Sequence, residues 1–219
     1  MFINSSDRKL YLSGWLQNNC KAEYENPLKL QKFLVLYELS SKTENDSYEL
    51  TNLKGYKNGP LFSKVYGDYT YRRSEFDKAS DDTYRQDKVH LDEERIKKCA
   101  FLTHILTEKE LSDFTHKMNI WACKKNQILK ENKSQVDLFE SDFTSDDANL
   151  LKQLLNVASV QNRNSHVIKI GQKSYLLSNE DYKKLSPEHL DALYDISDDD
   201  TIYNPVYVEI DEEGCLVID

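Results

Sequence analysis

The apolar residues between Arg8 and Cys20, namely Leu10, Leu12, Trp15 and Leu16, recur at helical spacing behind Ser5, Ser6 or Asp7 as an N-cap, and predict a first amphipathic helix. Asn26-Pro27 then opens "NPLKLQKFLVLYELSSK", with Asn26 as N-cap and Pro27 at the first helical position. Leu28, Leu30, Phe33, Leu34, Leu36 and Tyr37 cover more than one face of that segment, so it reads as a central helix packed on several sides. Residues 40–48 read as a polar loop. "YELTNLKGYKNGPLF" predicts a short strand or turn before Gly59-Pro60, "SKVYGDYTYRR" the start of a further helix, and Asp77 to Arg85 a loop or helix end.

Leu91, Ile96, Ala100, Phe101, Ile105 and Leu106 return to helical intervals, with acids early and lysines later, as the helix dipole favours. Thr107 followed by Glu110 is a capping box, and Leu111, Phe114, Thr115 and Met118 continue along one side. "DLFESDFTSDDANLLKQLLNVAS" predicts one more helix, capped by Ser145 or Asp146. Beyond Gln161 the period changes to two. Val167 to Ile170 around Gly171-Gln172 read as a hairpin, short helices follow at "SNEDYKKL" and "SPEHLDALYDI", and "YNPVYVEIDEEGCLVID" reads as a second hairpin turning at Glu212-Glu213-Gly214. The expected organisation is mainly α: a helical domain over 1–160 and a small α+β extension over 161–219.

Charge sharpens that division. The net charge of -9 is uneven: residues 1–130 hold 22 Lys and Arg against 19 Asp and Glu, whereas residues 131–219 hold 7 against 19. The acidity belongs to the C-terminal part, and the basic footprint of a dedicated nucleic-acid binder is missing. No apolar run approaches a membrane span and the N-terminal residues lack a signal-peptide pattern, so a cytoplasmic location is expected. The four cysteines, Cys20, Cys99, Cys123 and Cys215, form no C-x-x-C and are read as buried thiols.

Motifs for catalysis are lacking: there is no Gly-rich phosphate loop, no G-x-S-x-G and no H-E-x-x-H. His104 and His116 each follow a threonine, but hydrogen-bonded or surface roles outweigh metal ligation, and neither a metal nor a cofactor is expected. Only six glycines and four prolines occur in the chain, yet Gly55, Gly59 and Pro60 fall within six residues of one another, which marks a shaped backbone. Tyr66, Tyr69 and Tyr71 with Arg72 and Arg73 mix aromatics with cations, a composition shared by single-strand nucleic-acid sites and protein interfaces. The acidic balance favours the protein partner, and a purely structural role weighs as much as either.

"LQKFLVLYE" at 30–38, "NGPLFSKVY" at 58–66 and "LSDFTHKMNIW" at 111–121 stand in the order and approximate spacing of the Panacea-domain proteins, which include the SocA-like antitoxins. The chain resembles that family over about residues 8–130. Leu61 replaces the usual Val, Phe33 stands where Leu is common, and "GYKN" precedes the turn, departures that keep apolar character and leave partner identity open. The resemblance implies a helical, non-enzymatic binding module, encoded beside a toxin or on a phage or mobile element, that neutralises a partner protein by direct contact. Tyr56, Asn58, Gly59, Pro60, Tyr66, Tyr69, Arg72, Arg73 and His116 are the expected contact residues. The alternative is a mobile-element regulator touching nucleic acid through Tyr66 to Arg73.

Overall fold

The computed structural model describes residues 3–131, 133–161 and 165–218. Its spine is the third helix. α1 (Asp7–Asn19) and α2 (Lys21–Glu25) lead into α3 (Pro27–Thr43), whose first turn is closed by the Asn26 side chain accepting from the backbone N–H groups of Leu28 and Lys29. Every residue of α3 from Leu30 to Ser41 is buried, which is what its apolar coverage on several faces required.

A helix with no solvent face buries its polar residues too, and these need partners. Three of them reach the segment that follows. Glu38 accepts from Arg8 Nε at 2.8 Å, Lys9 Nζ at 2.5 Å and the backbone N–H of Glu49 at 2.8 Å. Gln31 Oε1 accepts from the Phe62 N–H at 2.9 Å, and Lys32 Nζ donates to the Asn58 carbonyl at 2.6 Å. The central helix therefore pins the antiparallel hairpin of β1 (Leu53–Tyr56) and β2 (Gly59–Phe62) by polar contacts as well as packing.

α4 (Ser63–Tyr71) and α5 (Arg73–Gln86) come next. Asp77 to Arg85, expected as a loop or helix end, is the C-terminal part of α5. α5 buries only Phe76 and Ser80, so its sequence carries little apolar signal; its order comes from packing along α1. There a Cβ on Gly14 would overlap the Ser80 carbonyl oxygen, so the two backbones touch where only glycine fits. α6 (Glu93–Ile105) and α7 (Glu108–Lys117) follow, α7 with the expected Thr107–Glu110 capping box, then the short α8 (Asn119–Ala122) and α9 (Lys125–Leu129).

β3 (Val136–Asp137) adds to the free edge of β1, giving the order β2-β1-β3. A single 3-10 turn at Glu140–Asp142 precedes α10 (Ser145–Gln161). The residue closing the first turn of α10 is Thr144, one position before the expected Ser145: its Oγ1 accepts from the Asp147 N–H at 3.3 Å. The Asp147 carboxylate is itself spent on the backbone N–H groups of Asn119 and Ile120 at the start of α8.

The C-terminal part is the expected α+β unit. β4 (Ser165–Ile170) and β5 (Lys173–Ser178) form the first hairpin, α11 (Asn179–Lys184) and α12 (Pro187–Asp195) follow, and β6 (Val206–Ile210) and β7 (Leu216–Ile218) form the second. The sheet order is β4-β5-β6-β7, with β5 and β6 parallel and the other pairs antiparallel. The division expected at 160/161 falls at the end of α10, beside residues 162–164, which lie outside the described ones.

β5 explains how one strand serves two cores, because successive side chains point to opposite faces. Tyr175 and Leu177 join Ile170, Leu193, Val206 and Val208 in a small core of the sheet and α12, whereas Leu176 belongs to the core of the helical body. Ser174 Oγ, on the same face as Leu176, donates to the Ile105 carbonyl at 2.7 Å. The cysteine expectation holds for Cys99, which is buried, but Cys123 and Cys215 are exposed and Cys20 is half-buried. Among the described residues no helix is long and apolar enough to cross a membrane.

Candidate functional site

The hairpin turn after Tyr56 stands at the rim of a cleft of about 430 Å³. Pro27 and Leu28 at the start of α3 form one wall, Tyr56, Pro60 and Leu61 of the hairpin another, and Tyr66 of α4 the end, with its ring centroid 6.4 Å from that of Tyr56. Gly59 takes a positive φ of 101°, which lets the chain reverse between β1 and β2.

Four side chains hold this turn from beneath. Lys32 Nζ donates to the Asn58 carbonyl and to Thr115 Oγ1 at 3.0 Å, and Trp121 Nε1 donates to the Tyr56 carbonyl at 2.9 Å. The His116 ring lies on that of Trp121, with centroids 3.9 Å apart and planes 27° from parallel. Trp121 is 1% exposed, and it lies on α8, separated at Met118 from the α7 helix that carries Leu111 and Phe114. The turn is therefore clamped by α3, α7 and α8 together, over sequence separations of 83 residues (Lys32 to Thr115) and 65 residues (Tyr56 to Trp121).

The electrostatics beneath the turn are unusual for a charged protein. No carboxylate lies within ion-pair distance of Lys32 among the described residues, and burial lowers its pKa to about 7. A neutral amine has two N–H donors, which match the two acceptors present. His116 is also held below its usual value, first by burial and then by the neighbouring Lys32, and its Nε2 is buried with no hydrogen-bond partner among the described residues. His116 is thereby biased to its uncharged form near neutrality, while Lys32 exchanges its charged and neutral forms there.

Stability follows from this by linkage. The unfolded chain binds a proton on Lys32 up to its ordinary pKa of 10.5, whereas the folded chain releases it near 7, so this group makes stability rise with pH between those values and contributes no slope below the lower one. Subtracting the unfolding free energy of Lys32→Met from that of the native chain cancels the other titrations. We expect the difference to climb by up to about 1.4 kcal/mol per pH unit between roughly pH 7 and pH 10 in urea melts. A difference that stays flat over that range would place the charge on Lys32 in the folded state.

The expected contact residues divide into two groups. Tyr56, Asn58, Gly59, Pro60 and Tyr66 line the cleft, and His116 lies behind the turn. Tyr69, Arg72 and Arg73 do not form the free aromatic and cationic surface that their composition suggested. Tyr69 is 7% exposed and donates to the Tyr24 carbonyl at 2.9 Å. Arg73 lies over the rings of Tyr24 and Tyr69 and is paired with Asp77 and Glu25, while Arg72 is paired with Asp68. Tyr66 and Tyr69, three residues apart, share one side of α4, and Tyr69 is the one that meets the core, its ring 5.9 Å from those of Tyr24 and Phe76.

Gln31, Lys32, Thr115 and Trp121 were not among the expected contact residues, although all four lie in the quoted motifs. A signal existed. Gln31 and Lys32 stand in a helix that is apolar on several faces, where a polar side chain is placed among buried neighbours and must find a partner inside. Among the described residues no group of three or more His, Cys, Asp or Glu side chains could hold a metal ion. His104 instead pairs through Nδ1 with Glu23 at 2.8 Å, an ion pair when the ring is protonated.

Fold and site together define a mainly α-helical protein with a small α+β part and a clamped, aromatic-walled cleft. No protein-family model, curated protein or solved structure matches the chain.

Proposed function

We propose that the protein is a non-enzymatic antitoxin or inhibitor that neutralises a partner protein, a cognate toxin, by direct binding through the cleft at Asn58 to Pro60. One observation carries this reading. The three stretches that resemble the Panacea-domain proteins, at 30–38, 58–66 and 111–121, are far apart in the chain and meet at this turn. Gln31, Lys32 and Trp121 spend their polar atoms on the backbone of the hairpin, so what the three stretches produce is a shaped surface rather than a set of free catalytic groups. Its walls carry Tyr56 and Tyr66, a residue type enriched where binding energy concentrates.

The nucleic-acid alternative rests on the segment from Tyr66 to Arg73, in which Tyr71 is exposed but Arg72 and Arg73 are both engaged by carboxylates. The test is co-expression with the product of the neighbouring gene, scoring growth and then co-purification. Rescue of a toxic neighbour with a stable complex is expected. Tyr66→Asp, at a residue 37% exposed, is expected to abolish both rescue and complex while leaving the circular dichroism spectrum unchanged. A harmless neighbour that forms no complex would overturn the reading, and operator binding with a steep salt dependence would replace it with the regulator.

A further inference from the structure

A second cavity, of about 350 Å³, lies where the α+β unit meets the helical body. Four chain segments converge there: α3 at Lys29, the C-terminal end of α6, the first turn of α7, and the β4–β5 hairpin at Gly171-Gln172. Its lining contains Lys29, Lys109, Lys169 and Lys173 against the single carboxylate of Glu108, in a chain whose net charge is -9. The Glu108 carboxylate accepts from Asn26 Nδ2 at 2.6 Å, which commits it to the start of α3.

The other nearby carboxylates are also committed. Glu23 takes Lys169 at 3.3 Å and His104, Asp113 takes Lys109 at 2.7 Å, and Glu110 serves the capping box and Asn204. Lys29 and Lys173 are left with neutral partners. Lys29 Nζ donates to the carbonyls of Thr103 at 2.8 Å and His104 at 3.4 Å, and Lys173 Nζ to that of Ile202 at 2.9 Å. Among the described residues no carboxylate lies within ion-pair distance of Lys29, whereas Lys173, on the face of β5 that carries Tyr175, turns toward Ile202 and away from the helical body.

We propose that this junction is a binding site for a small oxyanion of the phosphate type, held by Lys29 and Lys169 together with the first turn of α7. Positive groups that are partly withdrawn from water and face one cavity repel each other, and a multiply charged anion among them removes that repulsion. The lowered pKa of Lys29 reflects the same crowding, with burial as its first cause and Lys169 as its second. The first turn of α7 adds to the field: its capping box occupies the N–H groups of Thr107 and Glu110, while those of Glu108 and Lys109 have no hydrogen-bond partner among the described residues. A bound phosphate would touch α3 and the β4–β5 hairpin together, and so tie the α+β unit to the body.

Isothermal titration of the full chain with inorganic phosphate, against chloride at equal ionic strength, tests the site. Saturable binding of phosphate is expected. Lys29→Gln is expected to weaken it by about tenfold or more, the loss of one charge-assisted hydrogen bond. If that variant fails to fold by circular dichroism, Lys169→Gln, at a half-exposed lysine, serves in its place with the same expectation. Heats no different from chloride, or folded variants that bind phosphate as the native chain does, would overturn the proposal. Glycerol phosphate distinguishes the source: tighter binding than inorganic phosphate assigns the site to a phosphate carried on a small molecule, and equal binding assigns it to the free ion. Neither readout depends on toxin neutralisation, so this site and the proposed function stand or fall separately.

Discussion

Trp121→Ala is expected to destabilise the protein by about 3–5 kcal/mol and to release the hairpin turn from its clamp. The side chain is 1% exposed, so its removal leaves a cavity that the surrounding helices fill only in part. Two further losses are specific to this position. The Tyr56 carbonyl loses the indole donor that reaches it at 2.9 Å, and the His116 ring loses the surface on which it stacks. Trp121→Phe separates these contributions: it retains most of the volume and the stacking surface but not the donor, and is expected to cost about 1–3 kcal/mol. Urea denaturation of both variants is the measurement. A melting midpoint unchanged in Trp121→Ala would move Trp121 out of the core and among the contact residues.

Gly59→Ala is expected to cost about 2 kcal/mol or more, by two additive routes. Its φ of 101° is strained for any residue with a side chain, and a Cβ there would overlap Lys32 Nζ and stand 2.6 Å from Thr115 Oγ1. Gly214 supplies the control, since it also has a positive φ, of 80°, but a Cβ on it would meet nothing within 4 Å. Gly214→Ala therefore reports the backbone strain alone, about 1 kcal/mol. The excess at Gly59 measures the clash with the clamp, and it should appear together with a loss of partner binding. Equal costs at the two positions would mean that Lys32 moves aside freely and that the turn is not held as described.

Much of the fold was legible because local signals and burial agreed. Asn26-Pro27 opens α3, Thr107 and Glu110 cap α7, and the two period-two segments fold as the hairpins β4–β5 and β6–β7. The failures fall where tertiary contact alone decides. The span from Asp77 to Arg85 reads as a loop or helix end because α5 buries only Phe76 and Ser80, and only the close approach at Gly14 reveals its partner. β3 is two residues long and exists as an addition to the edge of β1.

The cleft was half legible for a related reason. The scarcity of glycine and proline elsewhere exposes Asn58 to Pro60 as a shaped turn, but composition says nothing about helix register. Tyr69, Arg72 and Arg73 were therefore assigned to a surface that α4 and α5 turn toward Tyr24, Asp68 and Asp77. Lys32 is hard to read from sequence because lysine is ordinarily a solvated residue, and its burial follows only from the absence of any wet face on α3.

The clamp also sets the order in which a growing chain acquires its binding surface. The walls of the cleft come from α3, the hairpin and Tyr66, yet the donors that hold the turn include Trp121. A nascent or truncated chain that ends before that residue contains most of the cleft's lining and lacks the indole that fastens it. The surface thus matures after its own residues have been synthesised, and its competence reports that the helical body has closed behind it.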